Sequence, residues 1–183
     1  MSTRRSKLSE QHCLHVEALT MPAPGALLAV DPGHVRTGLA ATDPGQILAT
    51  PVRTLSASES VSGVVEEVQA REPVGVIVGL PISLSGEEGT AAARARSYAR
   101  RLAAALAAAE HQAPVFLVDE RLTTVSATAA LRSAGVDSRS ARRVVDQAAA
   151  TALLQGVVDA AGAQGVDCLT LLSAGAGEFV SPS

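Results

Sequence analysis

Three acidic positions lie far apart in this chain, yet each falls where a rigid oxygen ligand would be useful. Asp31 ends the apolar stretch Leu27-Leu28-Ala29-Val30, Asp119 and Glu120 end a second stretch, Val115-Phe116-Leu117-Val118, and Asp146 lies in a late segment of helical period. Hard divalent cations such as Mg²⁺ take oxygen ligands, and two strand ends opposed by a helix can hold them firmly. Two such cations about 3.5 to 4 Å apart can activate a water and steady a leaving oxygen. Metal-dependent hydrolysis of phosphodiester bonds, without a covalent intermediate, is the chemistry to expect. The four histidines, His12, His15, His34 and His111, form no Ser-His-Asp or Cys-His arrangement. Gly79-Leu80-Pro81 with Ser83, Ser85 and Gly86 could offer backbone N–H groups to phosphate, but the lysine of a nucleotide-binding phosphate loop is missing.

Each acid also has a plainer use. An Asp ahead of Pro32-Gly33 is a common turn former. Asp146 shares a helical stripe with Ala149, Ala150, Leu153 and Val157. A carboxylate on a face that must pack against a sheet is costly unless something positive satisfies it. A bound cation would do so, and so would Arg142 or Arg143 one turn earlier. Asp119 and Glu120 point to opposite faces of their strand, so only one of them can join Asp31. Periodicity does not choose between them; Glu120 is the preferred ligand, with Asp119 in a supporting role.

These side chains need a scaffold, and 183 residues suffice for one domain of ordinary size with tails. Apolar residues make up 47% but aromatics only 2%, so the core must be built from Val, Leu, Ile and Ala. Base stacking on aromatic platforms is thereby nearly excluded. The net charge of −3 gives no bulk attraction for nucleic acid, which must rely on local basic clusters. Arg132, Arg139, Arg142 and Arg143 form one such cluster; Arg94, Arg96, Arg100 and Arg101 form another, read as a solvated helix face. Cys13 and Cys168 fall outside the expected core and suggest neither a disulfide framework nor a zinc site. No apolar run approaches the roughly 18 residues of a membrane span, so a cytoplasmic setting is expected.

Residues 1–25 close on Pro22-Ala23-Pro24-Gly25 and read as a disordered leader. Strands are expected over 27–31, about 37–42 and about 47–55, joined by Asp31-Pro32-Gly33 and Asp43-Pro44-Gly45 as an antiparallel meander. A helix capped by Ser58 then carries Val61, Val64, Val65 and Val68 and ends at Pro73. Val74 to Leu80 is apolar throughout, as a central strand covered on both faces should be. An Ala-rich helix over about 90–110, a strand at 115–119, a helix over about 124–133 and a last helix from about 138 to 160 follow. The expectation is an α/β domain over 26–161: a five-stranded mixed sheet, three strands antiparallel and then two parallel, with helices on both faces. Residues 162–183 read as a Gly/Ala-rich tail.

Leu28-Ala29-Val30-Asp31-Pro32-Gly33, Arg36-Thr37-Gly38-Leu39-Ala40, Val78-Gly79-Leu80-Pro81, Ser85-Gly86-Glu87-Glu88-Gly89, Asp119-Glu120-Arg121-Leu122-Thr123-Thr124 and Asp146-Gln147-Ala148-Ala149-Ala150 resemble, in order, the motifs of the YqgF family. The likeness spans about residues 27–158. It implies a ribonuclease H-like fold and a nuclease acting either on the 5′ end of pre-16S rRNA, within a ribosomal precursor particle, or on Holliday junctions. It further implies Mg²⁺ or Mn²⁺ held by Asp31, Asp146 and the Asp119-Glu120 position, with Arg36, Arg121, Thr123 and Thr124 near the nucleic acid. On this reading Arg139, Arg142 and Arg143 contact phosphate. His34 and Val35 depart from the family's usual small or basic residues at the first turn. A junction resolvase must cut twice, which calls for a homodimer, whereas rRNA processing is open to a monomer. A third reading keeps the fold as a non-catalytic RNA-binding assembly factor.

Overall fold

The computed structural model describes residues 25–82, 89–122 and 139–182; the side chains of Leu122 and residues 139–146 lie outside that description. Six strands form one sheet: β1 Leu27–Pro32, β2 Arg36–Thr42, β3 Ala49–Ser56, β4 Gly75–Leu80, β5 Val115–Asp119 and β6 Gly177–Val180. Their spatial order is β3-β2-β1-β4-β5-β6. β1, β2 and β3 pair antiparallel, β4 and β5 run parallel to β1, and β6 is antiparallel to β5. β1 and β4 sit in the middle and are apolar almost from end to end, because both faces of a central strand meet helices. Pro51 lies on the edge strand β3 beside a register shift at Gly38/Ala40, where a missing N–H costs no ladder bond.

One face carries α1, Ser60–Arg71, and α2, Thr90–Ala108. There Leu28 and Val30 pack with Val64, Val68, Leu102 and Leu106. The other face carries α3, Arg139–Gln164, whose Ala150, Leu153, Leu154 and Val157 pack with Leu27, Ala29, Ile77 and Val118. Alternation along each strand thus sorts its residues between two cores, and each fully buried Leu or Val stabilises the domain by roughly 1.5–3 kcal/mol. Among the described residues, no helix is long and apolar enough to cross a membrane.

Several expectations are corrected. α1 begins at Ser60, and Glu59 at its cap makes no side-chain capping bond, so Ser58 does not cap it; Ser56 Oγ instead donates to Glu59 Oε2 at 2.7 Å. The sheet has six strands, not five, and residues 162–182 are not a loose tail. After α3 the chain forms a short helix, α4 Cys168–Leu171, and then β6. Leu169, Leu171 and Leu172 are buried in the α3-side core, Phe179 meets Phe116 edge to face at 6.0 Å, and Glu178 pairs with Arg96 at 2.6 Å. Four residues between small neighbours carry too little alternation to announce a strand. Cys168 is buried in the same core rather than outside it; burial and the adjacent Asp167 charge push its thiol up to about 11. The expected leader and the helix over about 124–133 fall outside the described residues.

Candidate nuclease site

The two cores decide a matter that periodicity leaves open. Leu27, Ala29, Phe116 and Val118 all belong to the α3 side of the sheet, whereas Leu28, Val30, Val115 and Leu117 belong to the α1–α2 side. Continuing each alternation by one step puts Asp31 on the α3 side, and Glu120, just past the end of β5, follows Phe116 and Val118 to that side. Asp119 follows Leu117 to the other.

The geometry agrees with that parity. Asp31 and Glu120 line a single pocket of about 180 Å³, together with Gly33, His34, Gly79, Pro81, Ala91, Arg94 and Ala95. Parallel pairing sets Val30 beside Val78, so Asp31 and Gly79 end neighbouring strands at one level, with Glu120 entering from the next strand. Gly79 makes room for it: a Cβ there would lie 3.0 Å from Glu120 Oε1 and 3.3 Å from Leu153 Cδ2. The tight turn after Asp31 also depends on glycine, since a Cβ on Gly33 would come within 2.6 Å of the Arg36 carbonyl oxygen. The strand order reverses between the parallel neighbours β1 and β4, and the carboxyl ends of strands at such a switch point form a natural crevice.

Asp119 has different work. Its carboxylate receives the Arg121 backbone N–H at 2.8 Å and the Arg121 guanidinium at Nε, 2.8 Å, closing the short 3₁₀ turn Glu120–Leu122. The guanidinium hydrogen bonds hold the Asp119 carboxyl below the usual carboxylate range. Arg121 is therefore engaged with Asp119 and does not line the pocket. Arg36 starts β2 at the same end of the sheet, one step beyond the Pro32–Thr37 pair, and also stands off the pocket lining.

Position 146 lies one turn before the buried Ala150, on the stripe that continues through Leu153 and Val157. Leu153 packs where Gly79 meets Glu120, and Val158 and Ala161 border the far end of the sheet. α3 therefore descends from the pocket end, and position 146 lies about 10 Å nearer its start than Leu153. The Asp146, Arg139, Arg142 and Arg143 side chains, and all of Thr123 and Thr124, lie outside the described residues. Among the described residues two carboxylates, not three, border the pocket. Arg94, set apart by sequence as part of a solvated helix face, lies on this pocket with Nη1 3.5 Å from His34 Nδ1. The available clue was topological: α2 follows β4, so its first turns must come back over the strand end that carries Gly79. A larger groove of about 650 Å³ opens at the opposite end of the sheet beside Ile47, Val166 and Cys168, with Asp159 and Asp167 but no basic residue on its lining.

A family model described as RuvX, Holliday junction resolvase, matches residues 25–160. The chain belongs to the RuvX family. RuvX relatives with the name "Putative pre-16S rRNA nuclease" include one from Kineococcus radiotolerans, 48% identical over 141 residues that cover 75% of this chain and 73% of that protein. Another, from Nocardia farcinica, is 45% identical over 149 residues, covering 76% and 81%. Thermus thermophilus RuvC, solved in complex with a Holliday junction substrate, superposes with a TM-score of 0.51 at 17% identity, over 85% of this chain and 99% of that one. That likeness is one of fold and is the ribonuclease H-like architecture the motifs led us to expect. Family and relatives together make this RuvX protein a nuclease, with nucleic acid as its substrate.

Proposed function

We propose that this RuvX chain is a divalent-metal-dependent nuclease and that its task is maturation of the 5′ end of pre-16S rRNA. The observation that carries the metal reading is the convergence of Asp31 and Glu120 on one pocket, over a glycine whose Cβ would crowd the Glu120 carboxylate. Hard oxygen donors on two strand ends fit Mg²⁺ or Mn²⁺, and Asp31, Glu120 and Asp146 are the residues we assign to hold it. When bound, the cation would lower the pKa of a water and offset charge on the phosphate.

The chain's own residues then have distinct tasks. The sheet holds Asp31 and Glu120 at fixed spacing, because the two strands that carry them flank β4 in continuous register. Asp119 and Arg121 close the turn that aims Glu120. Arg139, Arg142 and Arg143 open α3 at the pocket end and are assigned to the phosphate backbone, as are Arg36, Thr123 and Thr124. The relatives' names support rRNA as the substrate; the family's description supports a second reading, resolution of four-way DNA junctions, which needs a dimer.

The test is cleavage of a labelled pre-16S rRNA 5′ leader and of a four-way DNA junction, in Mn²⁺ or chelator, by wild type, Asp31→Asn and Asp146→Asn. We expect metal-dependent cutting of the RNA, reduced at least about 1,000-fold in both folded variants. Paired symmetric cuts in the junction alone would replace the RNA reading with the resolvase. Full activity in either variant would sink the metal assignment.

A further inference from the structure

The pocket holds one cationic side chain that no part of the proposal above uses. Arg94 sits in the second turn of α2, and its helix places Ala91 and Ala95 on the same lining. These small side chains keep the approach to Asp31 and Glu120 open, and the exposed Arg94 is the one long side chain that this stretch of α2 places on the lining. Its Nη1 lies 3.5 Å from His34 Nδ1, a long contact that by itself engages one of its five N–H donors. Two other arginines of the same helix are differently placed. Arg96 is held by Glu178 across β6, and Arg101 lies over the Tyr98 ring at 5.8 Å.

A phosphodiester entering this pocket meets two carboxylates. Even with their charge offset by a cation, the phosphate presents a second non-bridging oxygen away from the metal side. A planar guanidinium can direct two fixed N–H donors at that oxygen and the adjoining ester oxygen, whereas a lysine ammonium in its place would supply only a point charge. We propose that Arg94 grips the scissile phosphate, as a substrate-contacting residue on the wall of the pocket formed by α2, and that His34 at the turn after β1 borders the same phosphate seat. This deepens the nuclease reading and rests on it.

The experiment measures two quantities on the full chain for wild type, Arg94→Ala, Arg94→Lys and, as a surface control, Arg71→Ala. Arg71 pairs with Glu67 at 2.6 Å in the last turn of α1, at the opposite end of the sheet. The first quantity is the salt dependence of binding to a single-stranded RNA oligonucleotide in chelator, where nothing is cut. The second is kcat and KM for the pre-16S leader in Mn²⁺. Loss of one phosphate contact reduces the slope of log K against log salt by about 0.7 for a single strand. We expect that reduction in Arg94→Ala, with kcat/KM down about 100-fold. Arg94→Lys should keep the wild-type slope, since the charge is retained, yet lose kcat because the fork is gone. Arg71→Ala should match wild type in both. A wild-type slope in Arg94→Ala would overturn the proposal whatever the cutting rate. If wild type cuts no RNA, the processing reading fails, and the slope still decides whether Arg94 contacts phosphate.

Discussion

At the scale of single residues, the site depends on what is absent from position 79 as much as on the acids. Glu120 folds over Gly79, and an alanine there would press on Oε1 at 3.0 Å and on Leu153 Cδ2 at 3.3 Å. The carboxylate is the flexible end of its side chain and can give way, so the fold should tolerate the change. Catalysis should not, since displacements well under 1 Å already matter to a positioned reaction. We expect Gly79→Ala to lower kcat by about tenfold to a hundredfold while a thermal melt shifts only a few degrees. Equal kcat in wild type and variant would show that Glu120 has no precise position to lose. Neighbouring acids thus differ in placement, Asp119 tied to Arg121 and Glu120 on the pocket that Asp31 also lines.

Among the elements, the C-terminal strand is the part that composition disguises. β6 completes the sheet beside β5, and Phe179 rests edge-on against Phe116, although more than half of it remains exposed at 57%. Such an aromatic pair contributes roughly 0.5–1.5 kcal/mol beyond the area it buries. Phe179→Ala should therefore destabilise the domain by about 1–2 kcal/mol, read as a lower urea midpoint at unchanged m-value. An unaltered midpoint would mean that β6 adds nothing to the cooperative unit. The Arg96–Glu178 pair is solvent-exposed on the Glu side and adds well under about 1 kcal/mol.

At the scale of the whole molecule, the residues we assign to the metal are distant in sequence. Asp31 comes from the first strand, Glu120 from the turn after the fifth, and position 146 from α3, and only the closed three-layer packing brings these elements to one end of the sheet. A ligand that binds this arrangement and not the unfolded chain must raise stability, by about 2.7 kcal/mol at a hundred times its Kd. Mn²⁺ should accordingly raise the wild-type Tm and leave Asp31→Asn nearly unmoved. Equal shifts in both would place metal binding elsewhere.

Much of this was legible in the chain before folding. Apolar runs bounded by Pro and Gly marked β1 to β5, the 3.6 period marked α1 and α3, and six motifs in order led to the family, because local backbone preference and burial pattern are written residue by residue. The sequence also determined which residue types could bind a hard cation. It did not decide between Asp119 and Glu120, since a period of two places one on each face without saying which face meets Asp31. Nor did it reveal Arg94 in the pocket, β6 on the sheet or Cys168 in the core. Those follow from contacts between segments from 60 to more than 120 residues apart, such as Arg94 with His34 and Cys168 with Gln46. Such contacts are set by packing two helical layers on a twisted sheet, and no local pattern encodes them.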